Sequence, residues 1–172
     1  MKTLLLLYLV LPCFAASSLS IIGGGRWLED PDARSTSAKN QWLTGLQADY
    51  LFQMDERLSI GPVIGHAFSR EFSETGYLSL SEATLGFRSQ IGKDVVLTSF
   101  EIGPSWMYAK AKDGALSLSD KQFGAYAQMN VTFKAKSVLL GMGLRYSTAQ
   151  TDLDNISSDG FSAFVSLGTV LF

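Results

Sequence analysis

The sequence predicts an all-β fold: an eight-stranded antiparallel up-and-down β-barrel that crosses a membrane on its strands. Three observations predict it. Apolar and polar residues alternate over long stretches, the links between those stretches are alternately long and short, and the residues opposite the apolar set are small or polar. The chain has 172 residues, 47% of them hydrophobic and only 17% charged. That is apolar for a soluble domain, yet no stretch after the first fifteen residues holds the eighteen consecutive apolar residues of a membrane helix. Alternation reconciles the two.

The opening "MKTLLLLYLVLPCFA" combines Lys2, an apolar run from Leu4 to Leu11, and small residues at Ala15 and Ala16. That is the layout of a secretory signal peptide, with cleavage expected after Ala15 and the barrel domain spanning 16–172. Lipid attachment at Cys13 would want a small residue before it, and Pro12 is a poor one. Losing Lys2 and Cys13 leaves 13 Lys+Arg against 16 Asp+Glu, a net charge of −3, and no cysteine. No disulfide framework is therefore available to this exported chain. Charge this near neutral and this mixed in sign suggests neither a nucleic-acid nor an anionic-membrane footprint.

The alternating stretches fall at 17–28, 41–53, 57–69, 77–90, 94–110, 121–134, 137–149 and 160–172. In "KQFGAYAQMNVTFK", Phe123, Ala125, Ala127, Met129, Val131 and Phe133 take one face, and Gln122, Gly124, Tyr126, Gln128, Asn130 and Thr132 the other. "SVLLGMGLRYST" repeats the pattern, with Val138, Leu140, Met142, Leu144 and Tyr146 on the apolar side. Tight turns are expected at "MDE" (54–56), "GK" (92–93) and "AK" (135–136), and long polar links at 29–40, 70–76, 111–120 and 149–160. Such a meander has all its tight turns at one end, and closure removes its unpaired edges.

The wet face decides the solvent. Ser20, Gly24, Gln47, Ser59, Gly61, Gly65, Thr84, Gly86, Ser99, Gly103, Gln128 and Gly143 make one face small and polar. Only such a set fits a narrow eight-stranded lumen, so the apolar face turns to lipid. Aromatic residues on the apolar parity form two groups. Trp27, Trp42, Phe68, Tyr77, Trp106, Tyr108, Phe123 and Tyr146 lie near the long-link ends; Tyr50, Phe52, Phe87, Phe133 and Phe172 lie near the tight turns. Paired aromatic girdles mark the two interfaces of an outer-membrane barrel.

With its leader, eight strands and terminal aromatic, the chain resembles the small bacterial outer-membrane barrels of the OmpA transmembrane-domain and OmpX/Ail type. The motifs carrying the resemblance are "LGTVLF", "IGPSWMYAKA" and "GLRYSTAQTDLDN". The resemblance implies that Phe172 and the outward residue Val170 belong to the segment read by the outer-membrane assembly machinery. It places outward residues at Val170, Gly168, Ser166 and Phe164, whereas Leu171, Leu167, Val165, Ala163 and Phe161 are equally apolar. A bulge near Gly168 would reconcile the two parities.

Six charges lie on the inward parity: Arg26, Asp49, Glu82, Arg88, Glu101 and Arg145. Charges in a narrow lumen need partners, so an ion-pair network is expected. Arg26 with Glu101 and Arg145 with Glu82 are the proposed pairs, with Tyr126 and Gln128 bonding into them. The network reads as a structural plug that fixes register. Gly61-Pro62 and Gly103-Pro104 each place a proline inside a strand, and a bulge is expected at both.

His66 is the only histidine. Some barrels of this class remodel lipid A with a His and Ser on a strand and a carboxylate orienting the His. Here Ser69 and Glu82 are on the parity opposite to His66, so a deacylase-like site would need Pro62 to shift the strand. Asp152, Asp154 and Asp159 cluster in the last link, but without the glycine and terminal glutamate of a known Ca²⁺ loop. No catalytic, cofactor or metal site is assigned. "NIS" and "NVT" match the glycosylation pattern by chance. The expected protein is a monomeric, non-enzymatic barrel in lipid and lipopolysaccharide. Its four loops serve envelope integrity or contact a host or surface ligand, as adhesins and serum-resistance factors do.

Overall fold

Eight strands follow in chain order: β1 (Ala15–Leu28), β2 (Gln41–Gln53), β3 (Leu58–Phe72), β4 (Gly76–Lys93), β5 (Val96–Asp113), β6 (Leu116–Ala135), β7 (Val138–Gln150) and β8 (Gly160–Val170). The structure is a computed structural model and describes residues 15–29, 41–72, 76–93, 95–113, 116–150 and 159–171. Phe172 and residues 1–14 of the expected leader lie outside the described residues. Each strand pairs antiparallel with the next, and β8 pairs with β1, so no edge is left open. The protein is an all-β, eight-stranded, closed antiparallel barrel.

Closure is staggered. Stepping between directly paired residues leads from Ala15 through Phe52, Ile60, Ser89, Phe100, Met129, Leu144 and Ala163, and returns to β1 at Gly25, ten residues further along. That stagger tilts the strands by roughly 40° from the axis. About ten tilted residues then cross the hydrocarbon, and every strand is at least that long, the shortest having 11 residues.

The two faces are inverted relative to a soluble barrel. On β2, Gln41, Gln47 and Asp49 are buried, while Trp42, Leu46 and Tyr50 are exposed. Around the wall, Ile21, Ile64, Leu85, Ile102, Met129 and Leu144 likewise show more than half or nearly half of their surface to the outside. Glycines admit the few inward rings. A Cβ on Gly86 would run into the Tyr126 hydroxyl, and one on Gly143 would meet the Phe164 ring at 2.6 Å.

The Gly-Pro pairs do not bulge. Asp49 opposes Val63 and Phe52 opposes Ile60 in one unbroken count, as do Thr84 with Ser105 and Phe87 with Ile102. Proline lacks the N–H that would bridge to β2 or β4, so only local pairing is lost, and the other edge of each strand pairs continuously. The last strand corrects a second expectation. From Ser18–Val170 to Leu28–Gly160, β8 keeps a single register against β1, so Gly168 carries no bulge. Phe161, Val165, Leu167 and Leu171 face outward and Phe164 faces inward, opposite Gly143, whose missing side chain makes room for the ring. Val170 therefore falls on the inward parity, not the outward one that the family pattern requires.

Three strands outrun their apolar pattern at the long-link end. β3 continues to Phe72, β5 to Asp113, and β6 begins at Leu116 rather than near residue 121. Pairs such as Lys110–Ser119 and Lys112–Ser117 carry the ladder on. Beyond the hydrocarbon both faces meet water, so hydrogen bonding continues where hydrophobic alternation stops.

The tight turns use local chemistry. Lys136 takes a left-handed φ of 59° and Gly92 a φ of 152°. Between β2 and β3, the Asp55 carboxylate accepts the backbone N–H groups of Arg57 and Leu58, both at 2.7 Å. These bonds hold the Asp55 carboxyl below its ordinary carboxylate pKa. A lowered folded value means that the turn's support is present above the ordinary range and is lost as pH falls through the lowered value. D55A should lose this acid-dependent part of the stability, read as a flatter unfolding midpoint against pH at the acid end. A folded barrel extracted in mild detergent should also migrate as a compact fast band on an unheated gel and slow on boiling.

Candidate functional site: an ion-paired lumen

Alternation turns all six inward charges into the barrel, where they form two tiers. The tier nearer the tight turns is set by the β4–β5 hairpin, which makes Arg88 the direct cross-strand partner of Glu101. Arg88 donates to Glu101 Oε1 from Nε at 2.8 Å and from Nη2 at 2.6 Å, and its Nη1 donates to Asp49 Oδ2. Ser18 Oγ donates to the same Asp49 oxygen at 2.8 Å. Glu101, 0% exposed, also accepts from Gln47 Nε2 at 2.7 Å, Asn130 Nδ2 at 2.8 Å and Gln128 Nε2 at 3.1 Å. Oε1 thus takes four contacts and Oε2 one, so both oxygens are partnered, the condition under which a fully desolvated carboxylate is tolerated.

The second tier lies nearer the long links. Arg26 Nη1 donates to Glu82 Oε2 at 3.0 Å, and Arg145 Nη1 is 3.7 Å from the same oxygen. Arg26 Nη2 reaches Met107 Sδ at 3.6 Å. Arg145 Nε donates to Gln128 Oε1 at 2.6 Å, and Gln128 in turn donates to Glu101, so one amide couples the tiers. Two arginines with one acid face two acids with one arginine, so the tiers carry opposite net charges and attract across that amide.

The expected pairing is corrected in one respect. Arg26 pairs with Glu82, and Glu101 takes Arg88 instead. Glu82 is opposite Met107 on β5, six residues along the strand from Glu101, so the two acids lie at different depths. Arg145 does face Glu82, and Gln128 does bond into the network. Tyr126 joins through its ring, which carries the Arg145 guanidinium at 5.3 Å, and its hydroxyl packs over Gly86.

An apolar layer escaped the sequence reading. Leu28, Leu80, Met107 and Ala109 form a buried cluster inside the long-link mouth, with Leu78 and Ala149 packed against it. Ile22, Leu43, Ala67 and Phe164 form another. The first cluster covers the Arg26–Glu82 pair because Leu28 follows Arg26, and Leu80 precedes Glu82, by one same-face step. That parity was present in the sequence as the signal.

His66 faces outward, and its Nε2 is 2.9 Å from Ser81 Oγ, an outward neighbour on β4. Ser69 is buried on the opposite face, where it donates to Gln41 Oε1 at 2.6 Å, and Glu82 is committed to Arg26 and Arg145. Unbroken register at Pro62 keeps those groups on the far side of the wall from His66. Asp152 and Asp154 lie outside the described residues, and Asp159 accepts the Ala149 N–H at 2.6 Å. Among the described residues no three His, Cys, Asp or Glu side chains form a metal-binding group.

The aromatic residues on the outer wall fall toward its two ends. Trp27, Trp42, Trp106 and Tyr108 are exposed toward the long links, with Trp106 against Phe123 at 5.6 Å and Tyr146 against Phe161 at 4.7 Å. Tyr50 and Phe52 meet edge-on at 5.1 Å near the tight turns.

No protein-family model and no curated protein sequence matches the chain. Solved structures do. The attachment invasion locus protein Ail of Yersinia pestis superposes with a TM-score of 0.58 at 13% identity, covering 91% of this chain and 96% of Ail. Neisserial surface protein A gives 0.56 at 11%, covering 91% and 95%. The N-terminal β-barrel domain of Pseudomonas aeruginosa OprF gives 0.52 at 9%, covering 90% and 97%. The fold is that of the small outer-membrane barrels. With an apolar exterior and a polar, charge-bearing interior, the barrel is built to sit in a membrane.

Arg88→Met should cost about 3–5 kcal/mol, because it strands Asp49 and Glu101 as buried charges. Adding D49N and E101Q to R88M should recover most of that loss, read as the urea midpoint of the barrel refolded in lipid vesicles.

Proposed function

We propose that this protein is a monomeric, non-enzymatic and non-conducting envelope barrel, exported by its leader, that acts through its outer surface and four extracellular loops. The observation carrying this reading is the lumen: side chains fill it, with an ion-paired double tier beneath an apolar layer. An interior so occupied leaves the exterior as the working surface. Both termini and the three tight turns then face the periplasm, and Phe172 with Val170 belongs to the segment recognised during assembly. The six inward charges are structural, and the aromatic residues anchor the two interfaces.

Two roles fit such a barrel: maintaining envelope integrity, or binding a host or surface ligand at the loops. The similarity to a protein described as an attachment invasion locus favours the second as the alternative to test. A lipid A-modifying role is disfavoured, since His66 pairs with Ser81 on the outer wall while Glu82 is committed to Arg26 and Arg145 inside it.

In planar bilayers the refolded protein should give no steady porin-scale conductance. In cells, deleting the gene should sensitise the envelope to detergent and chelator if integrity is the role. Loop-deleted variants that keep the barrel should instead lose host-cell or serum-factor binding if adhesion is. Loss of lipid A-modifying activity in His66→Ala, followed by mass spectrometry, would overturn the non-enzymatic reading.

A further inference from the structure

Apolar side chains close the lumen at both ends, but unequally. At the long-link end Leu28, Leu80, Met107 and Ala109 are no more than 4% exposed. At the tight-turn end the inward positions Leu97, Leu139 and Val170 are only half-buried. Register brings these three around one opening. Leu97 is opposite Thr132 on β6, and Lys134, one same-face step further down, is opposite Leu139. Val170 lies one such step below Gly168, the partner of Leu139 on β8. The result is a cup on the barrel axis. It is shallow, because the next inward residues, Ser99 and Asn130, are buried and bonded to each other at 3.1 Å. One rim of the cup is basic. Lys134 and Lys136 are exposed near Leu139, and the β6–β7 turn that carries them has no acid. The described acids of this end, Asp55 and Glu56, sit in the β2–β3 turn, where Asp55 already accepts two backbone N–H groups.

We infer that this cup docks an acidic peptide segment of a periplasmic partner. An apolar side chain of that segment seats on Leu97, Leu139 and Val170, and a carboxylate meets Lys134 and Lys136. The inference deepens the envelope-integrity role and rests on the tight turns being periplasmic. The occupant is identified by position, depth and charge. Aliphatic surface that faces the lumen axis is not covered by the bilayer, which lies outside the wall, so only a group entering the mouth removes it from water. Leu97 and Ser99 are separated by about 7 Å of strand, room for one side chain and not for an acyl chain. The two amines fix the sign of the charge beside that side chain and orient the incoming segment. A peptide places a carboxylate and an apolar group at neighbouring positions. The cup is also preorganised. Lys134 N–H donates to Val95 O at 2.8 Å and Val170 N–H to Ser137 O at 2.8 Å, so turns and strand ends are already held when a partner arrives.

The test uses the full-length protein in phospholipid nanodiscs, which leave both mouths open, and reads the fluorescence anisotropy of labelled peptides. The probes are a short peptide of alternating Glu and Leu, its Lys-Leu and Glu-Ser counterparts, and octanoate as a competitor. The wild type should bind the Glu-Leu peptide at least about tenfold more tightly than either counterpart. K134Q/K136Q should lose the preference for Glu-Leu over Lys-Leu, while K110Q/K112Q, at the opposite end, should keep it. Equal affinity for the three peptides, or an unchanged preference in K134Q/K136Q, overturns the inference. So does displacement of the peptide by monomeric octanoate, which marks the cup for a fatty carboxylate. Binding seen only in F172A overturns it too, because the chain's own last residue is then the occupant. Failure on any of these grounds leaves the heat-modifiable compact band, and with it the barrel reading, in place. Absence of that band would instead remove both.

Discussion

A carboxylate that water cannot reach must be neutralised by its surroundings, and Glu101 imposes that condition on the whole barrel. It takes hydrogen bonds from side chains of β2, β4 and β6. Those three strands reach one point only if the sheet closes with the observed stagger. Sheet register and lumen chemistry are therefore one constraint. A slip of one residue in β4 would turn Arg88 to lipid and leave Glu101 and Asp49 without their cation, at a cost of several kcal/mol.

The exterior obeys the complementary rule. Eight strands enclose too little space for the large apolar side chains, so those residues go to the side where hydrocarbon solvates them. The interior keeps glycine, serine and amides, and rings enter only where a glycine opposes them, as with Phe164 at Gly143 and Tyr126 at Gly86. The described barrel has no disulfide to hold it: closure satisfies the backbone, an apolar wall suits hydrocarbon, and ion pairs pack the inside.

How much of this was legible in the sequence depends on which force wrote each feature. Strand existence and face assignment follow from side-chain alternation, and all eight strands were readable. The upper ends of β3, β5 and β6 were not, because residues such as Lys112, Ser117 and Ser119 lie in ladders flanked by water, where alternation carries no penalty. The six lumen charges were readable by parity. Their pairing needed the register of the β4–β5 hairpin, which places Glu82 and Glu101 six residues apart in depth. Bulges at the prolines were expected from local propensity, and one at Gly168 was raised to reconcile two apolar parities, but the ladders run through all three places in a single register. The apolar cluster of Leu28, Leu80 and Met107 was overlooked because the inward set was read as uniformly polar.

Uninterrupted register along every seam has a corollary for how such a chain can vary. Deleting a single residue between the rims would invert the remainder of that strand, sending grease inward and ions into oil. Length changes are thus confined to the connecting segments beyond the paired residues, where any number can be added without disturbing the wall. The molecule separates an inheritance that must be kept in phase from one that can drift freely, and the boundary between them lies at the last paired residue of each strand.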